Sequence, residues 1–247
     1  MTDLIRNGER LDDLHRNNYK IIQSPQFFSF GLDAVLLSAF AKIGKREKCL
    51  DLCCGNGIVP ILLAARFPDA DSTFCGIEIQ KELADMAARS VALNGLENRI
   101  SIVHGDIKDG EKIFGHGVFD VITANPPYIE LGGGLENISE EKNLARHELA
   151  CTLEDVCQSA SRLLRFGGQF YMVHRPNRLA DIVSALRKFG LEPKLLRFIQ
   201  PAAGREPNTL LIMAAKGGKA FLRVEAPLIV YGEDSKYTRE VYDIYYG

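Results

Sequence analysis

The sequence predicts an α/β fold built on one mostly parallel sheet with helices on both faces. Two observations carry that prediction. From residue 48 onward, short apolar runs rich in β-branched residues alternate with longer segments of helical periodicity, the pattern of repeated βαβ units. The 247 residues are 46% hydrophobic and 25% charged, which suits one generous domain with a substantial core. In such sheets ligands bind beyond the carboxyl ends of the strands, so the chemistry is sought where the strand runs end.

The elements follow in order. "KCLDLCC" (48–54) reads as a strand and "GIVPILLAARF" (57–67) as the helix after it. "STFCGIEI" (72–79) is a strand, "QKELADMAARSVALNG" (80–95) a helix with glycine past its end, and "ISIVHGD" (100–106) a strand. "FDVITANPPY" (119–128) is the fourth strand of the series. A helix is predicted over 153–168, a strand over 169–175 and a helix over 178–190, then strand-like runs at 191–201 and 208–218. Residues 1–47 form an N-terminal extension with a helix over 33–43 and aromatic residues Phe27, Phe28 and Phe30; residues 48–247 form the main domain. The tail over 231–247, aromatic and charged, is expected to add a short helix packed on the body. With no repeat and no low-complexity linker, one globular domain is expected overall.

No window of about 18 apolar residues occurs, and the N-terminus lacks the apolar centre of a signal peptide, so a cytoplasmic, membrane-free chain is expected. The six cysteines show no C-x-x-C pair and no histidine at zinc spacing, which argues for buried reduced thiols and against a metal site. The net charge of −2 taken alone argues against a generic nucleic-acid binder, but its distribution is uneven. Residues 161–225 carry 12 Lys+Arg against 4 Asp+Glu, while 101–160 carry 4 against 11. Such asymmetry suits a protein that holds a polyanion with one surface and does its chemistry elsewhere.

Two sites stand out. The first is a glycine turn. The strand "CLDL" runs through "CCGNG" into a helix, placing Gly55 and Gly57 where backbone must approach a ligand closely. Glu78 ends the next strand, where an acid accepts hydrogen bonds from ribose hydroxyls, and Asp106 ends the one after. A dinucleotide site would need a third glycine, but Pro60 stands there. Asp51 at the strand end would repel a pyrophosphate and suits a cation, so the charges favour the sulfonium and ammonium of S-adenosyl-L-methionine.

The second is Asn125-Pro126-Pro127-Tyr128. An aryl amine shares its lone pair with its ring and is a poor nucleophile, so it must be held in line with the methyl donor. The Asn125 side-chain oxygen and the Pro126 carbonyl can both accept from that amine, and proline stiffens the turn that aims them. Tyr128 offers a stacking face. The glycine-rich run 129–147 suits either a loop that orders over substrate or a plain surface loop, and His147 suits an orienting or structural role better than that of a base.

Asp51-x-Cys53-x-Gly55-x-Gly57 resembles the first motif of the class I methyltransferases, with Cys53 where glycine is common, and NPPY resembles their motif for planar amino nitrogens. Segments such as "SPQFFSFGLDAVLLSAF", "VHRPNRLADI" and "GREPNTLLIMAAKGG" make most of residues 8–247 similar to the bacterial tRNA adenine-N6 methyltransferases that modify adenine 37 of a valine tRNA. That resemblance implies a Rossmann-like, seven-stranded sheet and S-adenosyl-L-methionine as cofactor. It implies a cofactor site of Asp51, Cys53, Gly55, Gly57, Glu78, Asp106 and Asn125, with the segment at Phe28, Phe30 and Asp33 closing over it. Asn125, Pro126 and Tyr128 are the implied catalytic group. The implied partner is tRNA, met by stretch 161–225, with charge reversal at Arg175 or Arg197 expected to weaken its binding; a monomer is expected. A protein glutamine methyltransferase, an rRNA guanine-N2 methyltransferase and an inactive cofactor-binding scaffold remain as other readings.

Overall fold

An antiparallel hairpin lies at the start of the chain, β1 (Arg10–Asp13) against β2 (Lys20–Gln23), with Arg10 opposite Gln23 and Asp13 opposite Lys20. The structure, a computed structural model, describes residues 4–27, 30–126 and 151–247. The hairpin is not among the elements expected from the sequence, because four-residue strands interrupted by charge leave little periodicity to read. α1 (Leu32–Phe40) follows and buries six of its nine residues.

The chain then alternates as expected: β3 (Lys48–Leu52), α2 (Ile58–Arg66), β4 (Thr73–Glu78), α3 (Lys81–Leu93), β5 (Ile100–His104), a single 3₁₀ turn at Ile107–Asp109, α4 (Gly110–Phe114) and β6 (Phe119–Ala124). After residue 151 come α5 (Leu153–Leu163), β7 (Leu164–His174), α6 (Leu179–Lys188), β8 (Leu191–Ala202), β9 (Thr209–Lys216), β10 (Arg223–Val224), β11 (Leu228–Tyr231) and α7 (Arg239–Tyr246). The main sheet runs β10-β8-β9-β7-β6-β3-β4-β5, with β11 also on β8. All pairings are parallel except those of β9 with β7 and β8.

Two expectations are corrected. Among the described residues the sheet has nine strands, not seven: β10 and β11 add parallel to β8 beyond the seven-strand set, and two or four residues are too few to declare themselves in sequence. The helix expected over 153–168 ends at Leu163, and β7 begins at Leu164. Leu164 pairs with Phe119 and Gln169 with Val121, so the residues between them bulge out of the ladder. Gly168 fits there because a Cβ would stand 3.0 Å from the carbonyl oxygens of Arg165 and Asp120.

Alternation along the strands builds two cores. On β7, Tyr171 and Val173 pack with Ile21, Leu36, Leu37, Ile61 and Leu63, while Phe170 and Met172 pack on the other face with Leu52, Ile77, Ile122, Ile182 and Leu186. Hairpin and α1 therefore share one core with α2 and the sheet. β2 is also pinned to α3: the Ile22 N–H donates to Ser90 Oγ at 3.1 Å, the Lys20 N–H to Asn94 Oδ1 at 2.9 Å, and Asn94 Nδ2 to the Lys20 carbonyl at 2.7 Å. Side chains of α3 thus satisfy an edge that water or another strand would otherwise meet. Glu9 and Arg89 clamp the same segment with an ion pair at 2.7 Å.

Strand order reverses at β3, which has β4 on one side and β6 on the other. In a sheet of this kind such a reversal is where ligands bind, beyond the carboxyl ends of the strands.

Candidate active site

Asp51 is the residue from which the site is built. It lies on β3, is 3% exposed, and sits in register opposite Thr123 of β6, whose hydroxyl donates to Asp51 Oδ1 at 2.6 Å. Burial pushes its carboxyl up to about 8, the Thr123 hydrogen bond opposes that, and the Glu78 carboxylate adds to it. A buried acid held this far from ionisation favours a cation.

The turn after β3 supplies backbone at the same point. Cys53, Gly55 and Gly57 all take left-handed conformations, with φ of +57°, +54° and +84°. Glycine does so freely, whereas Cys53 bears a cost of about 1–2 kcal/mol. A Cβ on Gly55 would meet no atom within 4 Å, so the space beside this residue is open. Gly57 serves packing instead: a Cβ there would lie 3.1 Å from Cβ of Ala87, so the start of α2 lies close against the middle of α3. The Cys53 sulfur stands 3.9 Å from that of Cys151. All six cysteines are free thiols; four are buried, and Cys53 and Cys151 are half-buried.

Glu78 ends β4 in register with the residue after Leu52, and is 5% exposed. Its two oxygens accept from the N–H groups of Gly55 and Gln80, each at 2.9 Å. These bonds fix the carboxylate against the glycine turn, and a carboxylate offers about four acceptor positions in all. Asp106 follows β5 and also serves the local backbone. Its Oδ1 caps the 3₁₀ turn by accepting from the Lys108 N–H at 2.9 Å, with Lys108 Nζ 3.4 Å from Oδ2.

Leu52 pairs with Ala124, so Asn125, the next residue after β6, stands beside the glycine turn. Asn125 is half-buried and Pro126 buried. Tyr128, Phe28, His147 and the run 129–147 lie outside the described residues. Phe30 and Asp33 belong to the N-terminal segment. The Phe30 N–H donates to Gln23 Oε1 at 3.1 Å, and Asp33 Oδ1 accepts from Thr209 Oγ1 at 3.4 Å. Arg175, just past β7, reaches the same place, donating to the Asn208 carbonyl at 3.0 Å and to Thr209 Oγ1 at 3.4 Å.

Thr123 is the site residue that sequence reasoning missed. Its signal was present, since a hydroxyl among Val121, Ile122 and Ala124, two residues before Asn125, demands a partner when buried. Gly76 is the other omission. A Cβ there would stand 2.6 Å from the Cys54 sulfur, so its lack of a side chain makes room for the turn.

Several cations of the basic stretch are paired with acids. Arg162, Arg165, Arg187 and Lys188 pair with Glu111, Asp120, Glu192 and Glu154. Arg197 grips Glu240 with two hydrogen bonds at 2.7 and 2.9 Å and donates to the Ala226 carbonyl, tying α7 to β8. Arg175, Arg178 and Arg205 stand at the carboxyl-end side with Asn125.

Comparison with known proteins decides the family. The methyltransferase small domain model matches residues 18–189. The chain belongs to the methyltransferase small domain family. A tRNA1(Val) (adenine(37)-N6)-methyltransferase from Porphyromonas gingivalis is 32% identical over 187 residues, covering 73% of this chain and 72% of that one. Another of that name from Histophilus somni is 28% identical over 226 residues, 90% of each. Among solved structures, a predicted O-methyltransferase from Agrobacterium tumefaciens superposes with a TM-score of 0.70 at 26% identity, over 86% of this chain and 94% of that one.

For a methyltransferase small domain, the donor set fits S-adenosylmethionine. Buried Asp51 and Glu78 complement a ligand with a sulfonium and an ammonium, the Gly55 turn leaves open space, and Glu78 is fixed where hydroxyls could be received. Among the described residues no helix is long and apolar enough to cross a membrane.

Proposed function

We propose that this chain transfers a methyl group from S-adenosylmethionine to the N6 amino group of an adenine in tRNA, adenine 37 of a valine tRNA as in the relatives' names. One observation carries the reading: Asn125 and Pro126 follow β6 in the position next to the glycine turn of β3, so amine acceptors and methionine cradle are neighbours. The cofactor supplies an electrophilic methyl on a sulfonium. Asp51 and the Cys53–Gly57 turn hold its methionine end, and Glu78 receives its ribose hydroxyls. Asp106, beside Glu78 and already a cap, edges the adenine end, and the segment through Phe30 and Asp33 covers the cofactor from the N-terminal side.

Asn125 and the Pro126 carbonyl accept from the adenine amine, orienting its lone pair toward the methyl group, and Tyr128 stacks on the base. No strong base is required, because the amine proton becomes acidic once the nitrogen is methylated. Arg175, Arg178 and Arg205 lie on the side where the phosphates of an extruded nucleotide would pass. Incubation with labelled methyl donor and unmodified total tRNA, followed by nucleoside analysis, tests the reading. Label in N6-methyladenosine is expected; label in N2-methylguanosine, or in a protein instead of RNA, would replace the reading.

A further inference from the structure

The wing of the sheet farthest from β5 carries a surface that the proposed chemistry does not use. β10 is its edge, pairing with β8 through Arg223 opposite Leu195 and Val224 opposite Leu196. Apolar side chains stand in solvent around it: Phe221 is 75% exposed, Val224 56% and Leu222 40%. Phe166, 78% exposed, lies with its ring over Gly217, where any side chain would collide with it.

Cations are set among these rings. The Lys194 ammonium lies 5.9 Å from the Phe221 ring centroid and donates to the Lys219 carbonyl at 2.9 Å, which draws the two lysine positions together beside the ring. Arg223 is paired with Glu225 at 3.0 Å, but its side chain is 65% exposed and solvent weakens such pairs. Residues 216–225 contain Lys216, Lys219 and Arg223 against Glu225, and Lys194 adds a further positive charge.

Exposed aromatic rings interleaved with lysine and arginine hold unpaired bases by stacking and the adjoining phosphates by charge. We infer that the β8–β10 edge is a second RNA-binding surface, where Phe221 stacks an unpaired base and Lys194, Lys219 and Arg223 hold neighbouring phosphates. The inference rests on the proposed tRNA substrate and extends it. β10 is four strands from β6, about 19 Å at about 4.8 Å per strand, so one tRNA can span the methylation site and this edge.

The test uses the full chain as wild type, as Phe221→Ala and as the triple variant Lys194→Glu, Lys219→Glu, Arg223→Glu. Affinity for unmodified tRNA is measured by fluorescence anisotropy across a salt series, with S-adenosylmethionine affinity and oligomeric state in parallel. Phe221→Ala should bind tRNA about fivefold or more weakly. The triple variant should lower the log–log salt slope by about two to three. Both should bind S-adenosylmethionine as wild type does. If wild type methylates tRNA and both variants bind it equally tightly, the surface is refuted and the substrate reading stands. A wild-type dimer that Phe221→Ala converts to monomer, with tRNA affinity unchanged, also refutes it. Wild type that neither binds nor methylates tRNA refutes both.

Discussion

Thr123 and Asp51 face each other across β6 and β3, joined by a 2.6 Å hydrogen bond in a place where Asp51 is 3% exposed. The pair explains how a carboxyl is kept in the interior beside Glu78 with no paired cation among the described residues. The hydroxyl satisfies one oxygen, and burial holds the proton on until about pH 8.

A stability prediction follows from the sign of that shift. The folded-state pKa lies above the unfolded value of 3.8, so Asp51 contributes stability below pH 3.8 and loses it as pH rises toward 8. Asp51→Asn should therefore stabilise the ligand-free protein increasingly with pH. In thermal unfolding its Tm should exceed wild type by more at pH 8.5 than at pH 5, at about 2–4 °C per kcal/mol for a chain of this size. Equal differences at both values would show that Asp51 ionises normally.

Cofactor binding should release a proton. A sulfonium and an ammonium favour the ionised form of Asp51, so a carboxyl protonated at pH 7 in the free protein must ionise on binding. Calorimetric titration of S-adenosylmethionine in buffers of different ionisation enthalpy should show up to about one proton released per site at pH 7 and less at pH 9. No buffer dependence at pH 7 would contradict the assignment of Asp51 to the cofactor.

The glycines of the site should divide by role. Gly57→Ala adds left-handed strain at φ +84° and presses on Ala87, so a loss of about 1–3 kcal/mol is expected in denaturant unfolding. Gly55→Ala meets open space and should lose about 1–2 kcal/mol from strain alone while weakening S-adenosylmethionine binding. If Gly55→Ala binds the cofactor normally, the open side of the turn is not the cradle.

Much of this was legible in the sequence, and the reasons are local. β3, α2, β4, α3 and β5 announced themselves because short apolar strand runs alternate with longer segments of helical composition. The end of α5 was not legible: Leu163 and Leu164 are both buried, so the apolar pattern runs on, and only the three-dimensional register against Phe119 shows the bulge that "RFGG" fills. β10 is two residues long, shorter than any periodicity. At the site, the residues nearest the turn were readable by type, but Thr123 was passed over as strand. Counting charges along the chain could not show that acids distant in sequence pair with some of these cations, as Glu111 does with Arg162, Glu154 with Lys188 and Glu240 with Arg197.

The N-terminal segment should be held by Glu9. Its carboxyl is kept below its usual range first by the hydrogen bond from Arg89, against the opposing effect of burial. That stability is present above the unfolded pKa and is lost as pH falls through the folded one. Glu9→Gln should cost about 2 kcal/mol, between the values for exposed and buried pairs, with the difference shrinking at acid pH. It should also increase hydrogen exchange in β1 and β2 before the central strands change; uniform protection loss would argue against a local clamp.

The central claim is that Asn125 holds the adenine amine beside the cofactor's turn, and single-turnover methylation of unmodified valine tRNA by Asn125→Ala tests it most directly, with S-adenosylmethionine affinity measured on the same samples. The expected result is a fall in the rate of N6-methyladenosine formation of about 100-fold or more, the range of one lost orienting acceptor, with cofactor affinity within about fivefold of wild type. Methylation at the wild-type rate, or a loss explained wholly by weaker cofactor binding, would contradict it.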